Sequence, residues 1–208
     1  MLPFGRSMGS ALAVMLAALI ASGPVAAQKA GGTLVQITQP EPPNLASYIS
    51  TSGPIGQVTA KIFDGLLEYD FNLKPQPSLA ESFEVSPDGK TITFKLRKNV
   101  KFHDGKPFTS ADVQFSVLEI LKKHHPRGIS TFADVTAIET PDAHTAVFKL
   151  ERPAPYLLMS LSGYESPMLP KHIYGEGDIK THPNANKPIG TGPFKFVEWR
   201  RGEFIRLD

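Results

Sequence analysis

The stretch that most constrains the fold is LAESFEVSPDGKTITFKLRKNVKFHDGKPFTSADV, from Leu79 to Val113. Apolar and polar residues alternate on both sides of the segment SPDG at 86–89, where proline at the second position and glycine at the fourth are typical of a β-turn. The pattern predicts an antiparallel hairpin with one buried face. A turn at 104–105 follows, and Thr109 and Asp112 then fit a capping box that starts a helix.

The rest of the chain has the same mixture of short strands and helices. The β-branched segment TLVQIT predicts a strand at 33–38, and Ser52 followed by Pro54 predicts a helix start. A second hairpin is predicted between Val135 and Leu150 with its turn at Pro141-Asp142. The sequence ends with FKFVEW, a predicted turn at 200–202 and EFIRLD. The pattern indicates a mixed α and β protein.

Residues 1–27 have the composition of a secretory leader. The first ten residues, in which Arg6 is the only charged side chain, precede the apolar run ALAVMLAALIAS. Val25-Ala26-Ala27 then places small side chains where a signal peptidase cleaves. About a dozen apolar residues are too few to span a bilayer, and an uncleaved anchor is the alternative. The sequence has no cysteine, which excludes a lipid-modified N-terminal cysteine and any disulfide. We therefore expect cleavage before Gln28 and a periplasmic protein.

Composition and charge exclude several classes of protein. A hydrophobic content of 41% and a charged content of 20% indicate a globular chain and not a disordered one. The net charge of +2 includes Arg6, so the chain without its leader is nearly neutral and has no feature that suits nucleic acid. We interpret the basic run at 122–127 as a helix C-terminus, where cations suit the helix dipole.

The sequence carries no motif that indicates catalysis or a metal site. His103-Asp104 is interpreted as part of a turn, because one histidine and one carboxylate without further ligands do not bind a metal. His124 and His125 are adjacent on a predicted helix and point in different directions. SLSGYES does not match the nucleophile motif Gly-x-Ser-x-Gly, and GTGPF at 190–194 is interpreted as a tight turn before a strand. We expect a protein that is not an enzyme, with no cofactor and no metal.

Taken together, these segments resemble the family 5 extracytoplasmic solute-binding proteins, the peptide- and nickel-binding components of ABC importers. The run from Leu79 to Val113 is similar to the signature region of that family. The similarity continues in order through IFDGLLEYDFNLKPQPSLAESF, AVFKLERPAPYLL, LPKHIY and PIGTGPFKFVEWRRGEFIRL. The resemblance implies an α/β fold of the periplasmic-binding-protein type II class, with an inserted mixed α+β subdomain that contains antiparallel hairpins.

The resemblance also implies how the chain is divided. Family members are considerably longer, so the fold is expected to be incomplete here, with the second lobe absent. Residues 28–58 would form the first segment of the main ligand-binding lobe, residues 59–187 the inserted subdomain, and residues 188–208 the return to the main lobe. The leader at 1–27 precedes them.

Candidate ligand-binding residues are also carried over from the family. In dipeptide-binding relatives a Thr-Ser-Gly segment lines the ligand cleft, and STSGP matches it at Thr51, Ser52 and Gly53. Hydroxyl groups and exposed backbone N–H groups beside a helix start suit a carboxylate or a peptide. The alternative for Ser52 is simple helix capping. Further candidates, on the loop after the first predicted strand, are Thr38, Gln39 and Glu41.

The function implied by the resemblance is capture of a small polar solute, a peptide above all, and its delivery to the permease of an ABC importer. The protein is expected to be a monomer that meets the membrane only through the permease. Nickel complexes, sugars and opines remain open as solutes. The alternatives are a secreted hydrolase whose active site lies in a missing C-terminal part, and a ligand-sensing domain of a regulator.

Overall fold

The computed structural model describes residues 31–208, so the predicted leader at 1–27 lies outside the described residues. Residues 31–37 belong to one compact unit and residues 38–208 to another. The strand predicted at 33–38 is wrong, because this segment lies outside every strand pairing of the described residues. The side chains of Leu34, Val35 and Ile37 are 81–91% exposed. A β-strand needs a partner for its backbone groups, and β-branched composition alone does not supply one.

Residues 38–208 contain eight strands and several short helices. The strands are β1 (Leu67–Tyr69), β2 (Pro75–Pro77), β3 (Ala80–Val85), β4 (Thr91–Leu96), β5 (Val135–Asp142), β6 (Thr145–Leu150), β7 (Phe196–Arg200) and β8 (Phe204–Leu207). Helix α1 is Gly53–Thr59, helix α2 joins Ser110–Gln114, the π-helical Phe115–Leu121 and Lys122–His124, and helices α3 and α4 are Gly128–Thr131 and Lys171–Tyr174. Single 3-10 turns lie at Ser47–Ile49, Pro155–Ser160 and Pro183–Ala185.

A four-stranded antiparallel sheet in the order β3-β4-β6-β5 confirms both predicted hairpins. The central strand β4 buries Ile92, Phe94 and Leu96 on one face. The edge strand β3 departs from the prediction of one buried face, since Val85 is 43% exposed. An edge strand has a neighbour on one side only, so its apolar side chains are covered less well.

The turn of the second hairpin lies two residues later than predicted. Strand β5 continues through Pro141 to Asp142, and Asp142 pairs with Thr145, so that Ala143 and His144 form the turn. The Asp142 carboxylate accepts a hydrogen bond from the His144 N–H at 2.7 Å. This aspartate supports the turn from the end of the strand, an arrangement typical of an Asx turn.

Helix α2 packs across the sheet and confirms the predicted apolar face. Its side chains at positions 113, 117, 120 and 121 are all buried. The capping box is present: the Asp112 carboxylate accepts hydrogen bonds from the Thr109 N–H at 2.8 Å and the Thr109 hydroxyl at 3.0 Å. Its other oxygen accepts from the Lys171 N–H at 3.0 Å. One buried carboxylate therefore starts α2 and holds the start of α4 against it.

Two hydrophobic clusters stabilise the unit. The larger one lies between the sheet and α2, where the Phe94 and Phe148 rings meet edge to face with centroids 5.1 Å apart. The second cluster includes Ile62 and Phe63, and its Tyr48 and Tyr174 rings also meet edge to face at 5.1 Å. Aromatic pairs in this arrangement add to the stabilisation from burial.

The segment GTGPF, predicted as a tight turn, forms a bend before β7 that is held by another part of the chain. Gly192 and Phe194 donate N–H hydrogen bonds to the carbonyls of Ile62 and Lys61, at 2.8 and 3.0 Å. A Cβ atom on Gly190 would lie 2.0 Å from the Ile62 carbonyl oxygen, so only glycine allows this approach. Within residues 31–208, no helix has the length and apolar character that crossing a membrane requires.

We predict that Asp112→Ala destabilises the fold by about 2 to 4 kcal/mol, because it removes the cap of α2 and leaves the Lys171 N–H without an acceptor. The matched control is Glu119→Ala on the same helix, whose exposed ion pair with Lys123 is expected to contribute less than about 0.5 kcal/mol. Urea unfolding measures both values. Equal effects of the two substitutions would contradict the role given to Asp112.

Candidate functional site

The predicted segment Thr51-Ser52-Gly53 lies at the start of α1. Thr51 and Gly53 are exposed and Ser52 is half-buried. The Ser52 side chain makes no capping hydrogen bond to α1, so the capping alternative for this side chain is wrong. Instead, the Ser52 N–H donates to the Ser50 hydroxyl at 3.2 Å. A Cβ atom on Gly53 would meet no atom within 4 Å. The segment thus offers two hydroxyl groups and open space at the surface.

A buried histidine follows helix α2. His125 is 1% exposed, and its Nδ1 accepts a hydrogen bond from the Gly128 N–H at 3.0 Å. Burial and the nearby Arg127 lower the pKa of His125, against an opposing effect of the Ser50 carbonyl. The ring is therefore neutral at pH 7.

An aromatic side chain packs against α1. A Cβ atom on Gly56 would lie 2.3 Å from the Tyr164 ring, so this glycine lets the ring rest directly on the helix. Tyr164 is still 42% exposed. The next residue, Glu165, forms an ion pair with Arg127 at 2.8 Å. Tyr164 therefore contacts α1, and the neighbouring Glu165 is paired with Arg127 from the segment after α2.

Sequence reasoning missed these supporting residues. The sequence pattern places His125 in a basic helix C-terminus, and the helix does end at His124, but His125 is buried. Tyr164 belongs to SLSGYES, which matches no nucleophile motif. The available signal was Gly56, a glycine inside a predicted helix, which often marks a close approach by another group.

The other predicted residues belong to a separate set of contacts, which we call the Glu41 clasp. One Glu41 oxygen accepts from the Trp199 indole N–H at 2.9 Å, and both oxygens lie 3.1 Å from the Gly202 N–H. The Arg201 guanidinium donates to the carbonyls of Pro42 and Pro43 at 3.1 Å. It also stacks on the Trp199 ring, 3.5 Å from its centroid. The clasp fixes the loop after Thr38 to the β7-β8 hairpin.

The clasp and the 51–53 segment do not share a hydrogen bond in the described part of the chain. Hydrogen bonds from Gly202 and Trp199, with the charge of Arg201, lower the pKa of Glu41. Both carboxylate oxygens are thus used by the protein itself. Thr38 is half-buried and Gln39 is exposed. A role in solute binding for Thr38, Gln39 and Glu41 stays a prediction.

The pair His103-Asp104 lies in the turn that the sequence predicts, with Gly105 at φ +87°. The His103 Nε2 lies 2.8 Å from the Gly192 carbonyl oxygen, and the Asp104 carboxylate lies 2.6 Å from the His172 Nε2. Both side chains thus join the turn to other segments. Residues 31–208 contain no group of three or more histidine and acidic side chains placed to hold a metal ion.

The chain matches the model of a protein family described as bacterial extracellular solute-binding proteins, family 5 middle, over residues 74–208. It is 35% identical to the oligopeptide-binding protein AppA of Bacillus subtilis over 185 residues, which are 86% of this chain and 34% of AppA. The chain therefore spans about a third of the length of that relative.

Solved structures show the same similarity. AppA in complex with a nonapeptide is 34% identical with a TM-score of 0.72, over 81% of this chain and 34% of AppA. AgaA from A. tumefaciens R10, in complex with agropinic acid, is 38% identical with a TM-score of 0.69, over 80% of this chain and 33% of AgaA. NikZ from Campylobacter jejuni, in complex with Ni(L-His), is 30% identical with a TM-score of 0.70, over 82% of this chain and 34% of NikZ. The fold of the described residues is that of periplasmic binding proteins.

The Glu41 clasp predicts a change in tryptophan fluorescence in acid. Trp199 is the only tryptophan in the sequence. Because the pKa of Glu41 is lowered from its ordinary value of 4.5, the ionised clasp is fully formed above that value and is lost as the pH falls through the lowered pKa. Emission from Trp199 should change below pH 4.5, and Glu41→Gln should abolish this change.

Glu198→Gln is the matched control for this experiment. Glu198 is adjacent to Trp199 and pairs with Arg200 and Arg206 instead. The control should keep the acid transition. If the transition persists in Glu41→Gln, the clasp does not depend on the Glu41 charge.

Proposed function

Because the chain belongs to family 5 of the bacterial extracellular solute-binding proteins, we propose that it is part of a periplasmic protein that captures a small polar solute. The observation that carries this proposal is the family match over residues 74–208, in a chain whose N-terminal residues have the composition of a leader. We infer that the solute is a peptide and that the protein delivers it to an ABC importer. The protein acts by binding and not by catalysis.

A peptide is favoured by one relative and by the chemistry of the candidate site. AppA, which is named as an oligopeptide-binding protein, is 35% identical to this chain. A peptide presents backbone N–H and carbonyl groups along its whole length, and the hydroxyls of Thr51 and Ser52 can donate to or accept from them. The partly exposed ring of Tyr164, which packs against Gly56 in the same helix, offers an apolar surface. We therefore assign Thr51, Ser52 and Gly53 to the wall that contacts the peptide.

The remaining parts of the proposal concern location and partners. Another relative, SapA of Salmonella typhimurium, is named a peptide transport periplasmic protein and is 31% identical over 174 residues. We propose the same location for this protein, with export by the predicted leader at 1–27. The proposed partner is the permease of an ABC importer. The division into a main lobe at 28–58 and 188–208 and a subdomain at 59–187 stays a prediction.

Calorimetry of the complete gene product tests the choice of solute. The panel contains random-sequence mixtures of dipeptides, tetrapeptides and nonapeptides, agropinic acid, and nickel with L-histidine. We expect heat of binding with at least one peptide mixture, and mass spectrometry should recover the bound peptide intact. Binding of agropinic acid or the nickel complex alone, with no binding of any peptide mixture, would refute the inference that the solute is a peptide. Cleavage of the bound peptide would favour the hydrolase alternative.

Gly53→Val tests the wall itself. Since a Cβ atom at Gly53 meets open space, we expect the variant to fold normally, with little change in its unfolding temperature. Its side chain would occupy volume that the peptide needs, so affinity should fall at least tenfold, or about 1.4 kcal/mol. The matched control is Gln57→Val, which places the same side chain on an exposed position of α1. Equal affinities of the two variants would remove Gly53 from the wall.

A further inference from the structure

The tip of the β1-β2 hairpin, residues 70–74, presents two apolar side chains to solvent. Phe71 is fully exposed and Leu73 is 66% exposed. Leu73 also has a backbone φ of +59°, a left-handed conformation that glycine or asparagine adopts at lower cost. Folding favours polar residues at both positions, since neither apolar side chain is removed from water there. An unfavourable choice of this kind points to a use outside the fold of the described residues.

Internal hydrogen bonds make the tip rigid. The Asp70 carboxylate accepts from the Asn72 N–H at 2.8 Å and from the Lys74 N–H at 2.9 Å. The Gln76 amide donates to its other oxygen at 3.3 Å. The backbone closes the same loop, because the Asp70 N–H donates to the Lys74 carbonyl and the Leu73 N–H donates to the Asp70 carbonyl. The carboxylate within 70–74 is thus turned toward its own backbone, and the apolar side chains project without it.

The base of the hairpin is fixed to the rest of the protein. The Leu67 N–H donates to the Leu161 carbonyl at 3.1 Å, and the Ser78 N–H donates to the Leu66 carbonyl at 3.3 Å. Leu66 and Leu67 are both 0% exposed. A rigid tip on a fixed base holds its apolar side chains in place, so a partner that binds them orders no additional chain.

The size of the tip favours a lipid surface over a protein partner. Because an aromatic side chain buries about 150–250 Å², Phe71 and Leu73 together offer roughly 300–400 Å² of contact. A specific protein–protein interface takes about 800 Å² from each partner, so the tip alone is too small for one. A bilayer takes up an apolar segment at its interface without a matching surface. The exposed Lys74 ammonium group suits the negative charge of lipid headgroups.

We propose that the tip at 70–74 binds phospholipid bilayers by inserting Phe71 and Leu73 into the membrane interface. The contact is weak: a single acyl chain gives reversible binding of about 10⁴ M⁻¹, and two apolar side chains are expected to give no more. For a protein that serves an importer, this contact raises its concentration beside the permease. That use depends on the proposed function, whereas the lipid contact itself does not.

Flotation of the complete gene product with vesicles of phosphatidylcholine and phosphatidylglycerol, in a three-to-one ratio, tests the proposal. The wild type should bind, and Phe71→Ser and Leu73→Asn should each lower the partition coefficient about tenfold. Asparagine suits the left-handed conformation at position 73, so Leu73→Asn should not lower the unfolding temperature. A loss of binding in that variant therefore does not come from a loss of fold.

Val85→Asn is the matched control, because Val85 is an exposed apolar residue at the end of β3. It should keep the wild-type partition coefficient, and an equal loss there would overturn the role of the tip. High salt should leave binding largely unchanged, since apolar side chains carry it. Binding that high salt abolishes would arise from surface charge instead and would also overturn the proposal.

Phe71→Cys tests whether the tip is free in the complete protein. Residues 1–208 contain no cysteine, so the unsubstituted protein is the blank for a thiol-reactive, polarity-sensitive dye. The dye at position 71 should attach to the folded protein and shift its emission to the blue when vesicles are added. Lys90→Cys, in the exposed turn between β3 and β4, should label without this shift. A protein that labels at position 90 but not at position 71 has its tip covered, which would overturn the proposal.

Two further results separate the possible partners. Binding to membranes that contain the permease, without binding to protein-free vesicles, would identify a protein partner and overturn the assignment to lipid. Vesicle binding that depends on Phe71 and Leu73, in a protein for which calorimetry finds no solute, would support the insertion tip while the proposed function fails.

Discussion

The buried carboxylate of Asp112 is the interaction on which the rest of this structure depends. It caps α2 through Thr109 and accepts the Lys171 N–H, so the starts of α2 and α4 are fixed by one group. Helix α2 then packs on the sheet with a buried apolar face. It ends at His124, and the next residue, His125, is buried.

The candidate solute wall at 51–53 leads directly into α1. Tyr164 packs against Gly56 one turn further along that helix. The Glu41 clasp restrains a different segment, because it joins the loop after Thr38 to the β7-β8 hairpin. Binding groups placed on a well-supported loop are typical of proteins that recognise small molecules.

Local patterns predicted the parts of the fold that depend on neighbours in sequence. The capping box at Thr109 and the SPDG turn are of this kind, because their partners lie within five residues. The strand predicted at 33–38 was wrong, since pairing depends on distant chain. The burial of His125 arises from packing by distant segments, which no local pattern shows. Gly56 inside a predicted helix signals a close approach by some group, but not that Tyr164 makes it. The segment at 51–53 was found only through resemblance to the family.

Amide chemical shifts of the complete protein, measured by NMR during titration with the nonapeptide mixture, test the central claim most directly. The claim is that Thr51, Ser52 and Gly53 contact the solute. The account predicts that the amide signals of these three residues shift as the peptide mixture is added. Binding that leaves the signals at 51–53 unchanged would contradict it.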